Sequence, residues 1–518
     1  MARLSAAIAA AKGDVTAIID DDGSVTWRAF DERVNRCLNG IRARGHDAGE
    51  TIAVLCGNRR EFLEVTAALV QGGYLFPPID WHFTPPEAAH VLDDSGATAL
   101  IVDDAHLDLA LAAVDLSERT IDVIVLGEQT PSRAASYEAM LNGASASEPP
   151  HQTLGAVMMY TSGTTGRPKG VRSTSMPLGG DIELAELAAR GYMSVFGIDH
   201  EGRSLITAPL YHGGPYVFGA VPFAAGCPIV LRRRFDPAAV LRDIDELAIS
   251  NTYFVPTHFK RLLRLPDEAK SAFDGSSLRT VWHTAAPCPP DLKRAMIDWW
   301  GPVLFEVYAA TDAGTGTLIS SEEWLRKPGS VGRASPLSEI IVLDADGHAV
   351  GRNEVGSVYI VNRLGGDVAY HNDPAKTEAA HLAPGVVTVG DVGYLDDDGY
   401  LYLVDRKIDM VISGGVNIYP VEVETRLMGH PAVLDAAVFG IPDDEFGEQL
   451  KAAVLLVDGV EPSPELIDDL TRFCREGLAS YKTPRSFDFP AEFPRTATGK
   501  LLKRLLRDPY WFDLDRQI

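Results

Sequence analysis

The chain has 518 residues, 46% hydrophobic and 23% charged, with a formal net charge of −25 at pH 7. That length allows about two to four domains or subdomains around sizeable cores. The acidic balance excludes nucleic acid and anionic lipid surfaces as expected partners, and no run of ~20 apolar residues is present to span a bilayer.

Five cysteines, Cys37, Cys56, Cys227, Cys288 and Cys474, are scattered with no C-x-x-C pair. The pattern fits a reducing cytosol without structural zinc, so a cytoplasmic location and buried packing of each thiol are expected.

The start, MARLSAAIAAAKG, lacks the apolar core of a signal peptide and reads as a frayed surface helix. Residues 51–56 (TIAVLC) read as a strand, followed by a helix over 61–70 that Gly72-Gly73 ends. Further strands are expected at 99–102, 122–126, 204–207, 253–255 and 280–283. Strands alternating with helical patterns predict βαβ units and a mostly parallel sheet. The basic run Arg232-Arg233-Arg234 reads as a solvated face or a local anion site.

Near residue 400 the texture changes. Residues 399–404 (GYLYLV) alternate like an exposed antiparallel strand, and strands follow at 436–439 and 452–456. A helix over 464–477 has Ser463 as N-cap and Pro464 at its first position, with Leu466, Ile467, Leu470, Phe473 and Cys474 on its buried face. The fold class expected is α/β: a large N-terminal domain, 1–405, of mostly parallel βαβ-type sheets, and a small α+β C-terminal domain, 406–518.

Residues 160–170 (YTSGTTGRPKG) carry the most chemistry. They follow an apolar strand at 156–160 and offer the hydroxyls of Thr161, Ser162, Thr164 and Thr165, the flexible Gly163 and Gly166, and the charge of Lys169. Glycines bring backbone N–H groups close to an anion, hydroxyls add donors and lysine adds a point charge. Such a loop suits a triphosphate or pyrophosphate. It is not the P-loop of kinases and GTPases, because Arg167-Pro168 separates Gly166 from Lys169. No G-x-G-x-x-G follows a strand, which disfavours a dinucleotide fold.

The run T-S-G-T-T-G-x-P-K-G resembles the signature of the adenylate-forming superfamily of acyl-CoA synthetases, luciferases and peptide-synthetase adenylation domains. Matches in the same order cover roughly residues 20–505 and point to the acyl-CoA synthetase branch. The resemblance implies a mobile C-terminal domain, with ATP, Mg²⁺ and coenzyme A as cofactor and co-substrates. The reaction it implies attacks the α-phosphate of ATP with a small-molecule carboxylate, then displaces AMP with a thiolate.

By that resemblance, Tyr308 in YAATD stacks on adenine, Thr311 bonds a phosphate oxygen, and Asp312 and Thr165 are the Mg²⁺ candidates. Asp312 stands where the family has a longer glutamate, and Ala309 and Thr284 stand where it commonly has glycine. Ala285, Ala286 and Pro287 resemble the segment flanking adenine. Asp391 and Arg406 resemble the ribose and phosphate contacts. His212 resembles the gate between nucleotide and acyl pockets, with Tyr211, Tyr216, Val255, Pro256 and His258 as further acyl-site candidates. The turn Asp396-Asp397-Asp398 reads as solvated.

Lys500 in the P-R-T-x-x-G-K frame resembles the C-terminal lysine of adenylation. Gly414 and Gly415 resemble the loop forming the thiol tunnel, and Ile408 stands at the usual hinge. The function expected is an ATP-dependent acyl-CoA synthetase for a long-chain or bulky alicyclic acid. Two alternatives share the fold: weakened adenylation with thioesterification of a supplied acyl-adenylate, and loading of a carrier protein.

Overall fold

Short apolar strands separated by amphipathic helices fold here as open α/β sheets. The computed structural model describes residues 4–127, 130–162, 168–174, 176–406, 409–413, 416–495 and 501–512. The chain divides into two units. One is Met1–Arg326 with Ser335–Glu339 and Val361–Val387; the other is Lys327–Ala334 with Ile340–Ile360 and Thr388–Ile518.

Among the described residues, most strands of the first unit lie in three sheets. One is parallel throughout, in the order Ala135–Ser136, Asp122–Leu126, Ala97–Asp103, Thr51–Leu55, Leu75–Phe76 and Ala156–Val157. Every residue of Thr51–Leu55 is buried, which is why this strand reads as a continuous apolar run rather than an alternating one. The second orders Gly314–Ser320, Leu304–Ala310, Thr280–His283, Asn251–Phe254, Ser204–Ile206, Ile229–Leu231, Thr16–Asp20 and Gly23–Thr26. Its inner pairs are parallel and its two outer pairs antiparallel. The third is small and antiparallel: Met159–Ser162, Pro168–Ser173 and Val368–Tyr370.

Helices Trp27–Ala43, Arg60–Gln71 and Gly213–Ala224 pack Trp27, Phe30, Leu63 and Phe223 into the largest core cluster. Each such side chain contributes about 1.5–3 kcal/mol of burial.

In the second unit, Val433–Asp443 and Gly447–Leu456 form a long antiparallel pair, and Ser486–Asp488 joins in parallel. Helix Pro464–Gly477 has the expected bounds, and the Ser463 hydroxyl accepts from the Leu466 N–H. Leu470 and Cys474 are buried, but Ile467 is exposed, because the helix presents only a narrow stripe to the sheet. Among the described residues no helix is long and apolar enough to cross a membrane.

Three local expectations are corrected. The first helix, Ser5–Lys12, is not a frayed surface element: Leu4, Ser5 and Ala9 are buried, and Ser5 donates to Asp31 at 2.8 Å. In the run Arg232-Arg233-Arg234 the last two are exposed as expected, but Arg232 is half-buried and already paired with Asp243 and Asp21, so it is not an anion site. Asp396 is buried rather than solvated: it accepts from the Tyr400 and Asp398 N–H groups, and Lys327 Nζ reaches it at 2.8 Å.

Candidate active site

The glycine- and hydroxyl-rich loop is flanked by an antiparallel pair that sets Ser162 opposite Pro168 and Thr161 opposite Lys169. Gly163, Thr164, Thr165, Gly166 and the Ser162 side chain lie outside the described residues. On the far side of Pro168–Ser173, the strand Val368–Tyr370 runs antiparallel, with Tyr370 opposite Val171. The chain continues beside the loop's base, and the His371 N–H donates to the Gly170 carbonyl at 2.8 Å.

This pairing delivers Asp373 to Lys169, whose Nζ lies 2.8 Å from Asp373 Oδ2. The other carboxylate oxygen, Oδ1, caps helix Pro374–Ala380 by accepting from the Lys376 N–H at 3.0 Å. Lys169 and that cap together hold Asp373 below the usual carboxylate range. Asp94 pins the same segment: its backbone carbonyl takes His371 Nε2 at 3.0 Å and Asn372 Nδ2 at 3.1 Å, and its Oδ2 takes the Tyr160 hydroxyl at 2.6 Å.

Tyr308 and Asp312 come from the hairpin of Leu304–Ala310 and Gly314–Ser320. Tyr308 is buried opposite Thr317, and the register shifts just after it, turning Ala309 outward. Asp312, in the turn, accepts a hydrogen bond at Oδ2 from the Tyr370 hydroxyl. Burial and the Asp312 charge push the Tyr370 phenol far up. Thr311 faces the start of helix Gly213–Ala224, where a Cβ on Gly213 would stand 3.3 Å from Thr311 Oγ1.

Ala285, Ala286 and Pro287 follow strand Thr280–His283, which pairs in parallel with Leu304–Ala310 and sets His283 opposite Glu306. Ala285 holds φ at +75°, a left-handed conformation that L residues rarely adopt. Beneath lies a buried ion pair, Lys293 Nζ to Glu306 Oε2 at 2.6 Å, with His283 Nε2 3.8 Å from the same oxygen.

His212 is the N-cap residue of helix Gly213–Ala224. Burial pushes its imidazole down to about 4, so the ring is neutral at physiological pH. Its Nε2 is shut off from solvent and has no hydrogen-bond partner among the described residues. Tyr211 beside it lies 3.1 Å from His82 Nδ1, which lies 3.0 Å from Asp80. Tyr216 is one turn further along and donates its N–H to the His212 carbonyl at 3.0 Å. Val255 and Pro256 are buried, whereas His258 stacks on Phe235 at 3.9 Å and is pushed down to about 3 by burial.

In the second unit, Asp391 is buried and sits directly opposite Arg406 in an antiparallel pair. The Arg406 side chain, Ile408, Gly414, Gly415 and Lys500 lie outside the described residues.

A hard cation needs oxygen ligands, and Mg²⁺ is usually held by one or two carboxylates plus phosphates and water. Asp312 suits that donor set, because Oδ1 has no bond among the described residues while Tyr370 holds Oδ2. Among the described residues it is not part of an all-protein cage. The group of three potential ligands found among the described residues is the exposed turn Asp344, Asp346 and His348.

Several of these residues were not foreseen from the sequence. Tyr370, Asp373 and Lys376 lie in one run, YHNDPAK. Its local signal is an aspartate before a proline, the pattern of a helix N-terminus. Asp80 and His82 carry no such signal.

Two family models match: the AMP-binding enzyme over residues 5–364 and the AMP-binding enzyme C-terminal domain over 422–500. The chain is 33% identical over 502 residues to a feruloyl-CoA synthase from Amycolatopsis sp, covering 95% of each. It is 32% identical over 503 residues to the long-chain-fatty-acid–CoA ligase FadD13 of Mycobacterium tuberculosis, covering 94% of each. The o-succinylbenzoate CoA synthetase of Bacillus subtilis, solved with its acyl-adenylate intermediate, superimposes with a TM-score of 0.80 at 28% identity, over 98% of each chain.

Proposed function

The chain belongs to the AMP-binding enzyme family, as an adenylate-forming acid–thiol ligase, and from that premise we propose that it joins a long-chain or bulky alicyclic acid to coenzyme A, with Mg²⁺ accompanying ATP. The observation that carries this reading is the convergence of Lys169, Asp312, Thr311 and His212 in one unit. Asp373 holds the first, Tyr370 the second, and Gly213 links Thr311 to the helix His212 caps.

In this reading Lys169 and the loop hydroxyls of Thr161, Ser162, Thr164 and Thr165 hold the phosphates, with N–H groups from Gly163 and Gly166. Thr311 donates to an α-phosphate oxygen. Mg²⁺ would supply charge neutralisation on the phosphates, held by Asp312 Oδ1 and the Thr165 hydroxyl. Tyr308 and Ala285, Ala286 and Pro287 flank adenine, and Asp391 with Arg406 takes the ribose. The neutral His212 Nε2, buried and without a partner among the described residues, is the polar atom we assign to the acid. Lys500, in the mobile domain we place at 406–518, offsets charge developing on the transferring phosphate. Gly414 and Gly415 line the thiol path.

The acid's apolar part follows one helix face. His212, Tyr216, Ala220 and Ala224 recur every four residues over about 18 Å. The last three line a cavity of about 60 Å³ walled by Trp27, Phe30, Leu63 and Phe223. The wall is largely apolar, as an acyl group needs, and the void is well below the ~300–1,000 Å³ of a typical ligand pocket, so it would take only one end of such an acid. Relatives named as a feruloyl-CoA synthase and as a long-chain-fatty-acid–CoA ligase match at 33% and 32% identity, so relatedness does not choose between those acids.

Acid-dependent pyrophosphate release, with ATP and Mg²⁺ but no CoA, tests the reading across fatty, alicyclic and aromatic acids. Release with fatty or alicyclic acids is expected; release with aromatic acids alone overturns the substrate class. A second reading, weakened adenylation, is favoured by the short Asp312 and its engagement by Tyr370. It predicts silence across the panel but CoA-thioester formation from supplied acyl-adenylates.

A further inference from the structure

Lys376 is not used by the mechanism above, yet it sits at the loop's base. It lies in the helix that Asp373 caps, and its ammonium rests 3.9 Å from the centre of the Tyr370 ring. Among the described residues its Nζ makes no ion pair. The nearby carboxylates already have direct partners: Asp373 takes Lys169, and Asp312 takes Tyr370.

Burial and the charge of Lys169 both disfavour the charged form of Lys376, while Asp312 and Asp373 favour it. Lys169 has Asp373 as its direct partner, whereas Lys376 Nζ has no direct carboxylate among the described residues, so an incoming anion would be the first to answer it. The Tyr370 ring offers a cation–π platform that steadies the side chain without neutralising it.

We propose that Lys376 is a phosphate-binding residue that, with Lys169, holds the β- and γ-phosphates of ATP and then the departing pyrophosphate. The inference rests on the adenylation reading above. In that step a carboxylate oxygen of the acid bonds to the α-phosphorus. The bond from that phosphorus to the bridging oxygen breaks, and pyrophosphate leaves with the electron pair. Negative charge therefore grows on the leaving group, where a second fixed cation acts most strongly in the transition state.

Calorimetric titration of the full chain with inorganic pyrophosphate and Mg²⁺, and separately with AMP, tests this. Lys376→Ala should weaken pyrophosphate binding about tenfold, the loss of one charge-assisted contact. AMP affinity should stay unchanged, because AMP lacks both outer phosphates, and Lys376→Arg should retain most of the pyrophosphate affinity. Unchanged pyrophosphate binding in Lys376→Ala overturns the proposal, and so does an equal loss for AMP, which would mark general damage. If no acid releases pyrophosphate from ATP while Lys376→Ala still weakens pyrophosphate binding alone, the adenylation reading fails and the anion site stands.

Discussion

The Tyr370 hydroxyl donates to Asp312 Oδ2, joining the antiparallel strand beside the phosphate loop to the hairpin turn that carries Thr311. This bond fixes which carboxylate oxygen remains for a cation. Partners of metal-binding carboxylates typically change metal affinity 10–100-fold when removed. Tyr370→Phe should therefore raise the Mg²⁺ concentration needed for half-maximal pyrophosphate release by about tenfold. An unchanged Mg²⁺ requirement would show that the phenol does not orient Asp312. Asp312→Glu, which restores the family's extra methylene, should preserve or raise the ATP-dependent rate; a steep loss would mean the site is built around the shorter side chain.

His212 predicts a dependence of stability on pH. Its pKa is lowered to about 4 in the fold by burial, against ~6.5 unfolded. The unfolded chain therefore binds the extra proton first, and this contribution is complete above pH ~6.5 and lost as pH falls toward 4. Between pH 7 and pH 5 the loss is about 2 kcal/mol. Urea unfolding of wild type and His212→Gln at both pH values isolates it. The variant should lose about that much less than wild type, and identical pH slopes would contradict a buried neutral imidazole.

Gly214 faces the Tyr253 side chain, where an added Cβ would stand 2.5 Å from the hydroxyl and 2.8 Å from its ring carbon. Gly214→Ala should destabilise by about 1–3 kcal/mol through overpacking, read as a lower Tm. Adding Tyr253→Phe removes the clashing oxygen and should recover part of the loss. Additive losses in the double variant would place the strain elsewhere.

Lys500→Ala should abolish acyl-adenylate formation while sparing CoA-thioester formation from a supplied adenylate. Rapid-quench measurement of each half-reaction separates the two, and equal loss in both would remove the proposed role in adenylation.

Local chemistry was legible from the sequence. Ser463 and Pro464 mark the start of a helix that forms at those bounds, because a cap needs only residues three apart. Thr280–His283 is a strand as expected, since its apolar run sits within parallel neighbours. The first helix was misread because its alanines carry little hydrophobic signal. Its burial comes from neighbours such as Asp31, which is 26 residues from Ser5.

What the sequence by itself determined is the family, the α/β class and the order of the family's motifs, with the residue types of 160–170 that the proposed phosphate site rests on. Those depend on residue type and short spacing. Only the tertiary structure decided that Asp373 would answer Lys169 from 204 residues away, and that Tyr370 would hold Asp312 from 58. The register of Val368–Tyr370 on Pro168–Ser173 brings both pairs together. That register is set by packing and strand pairing across the whole unit, which no short stretch of sequence encodes.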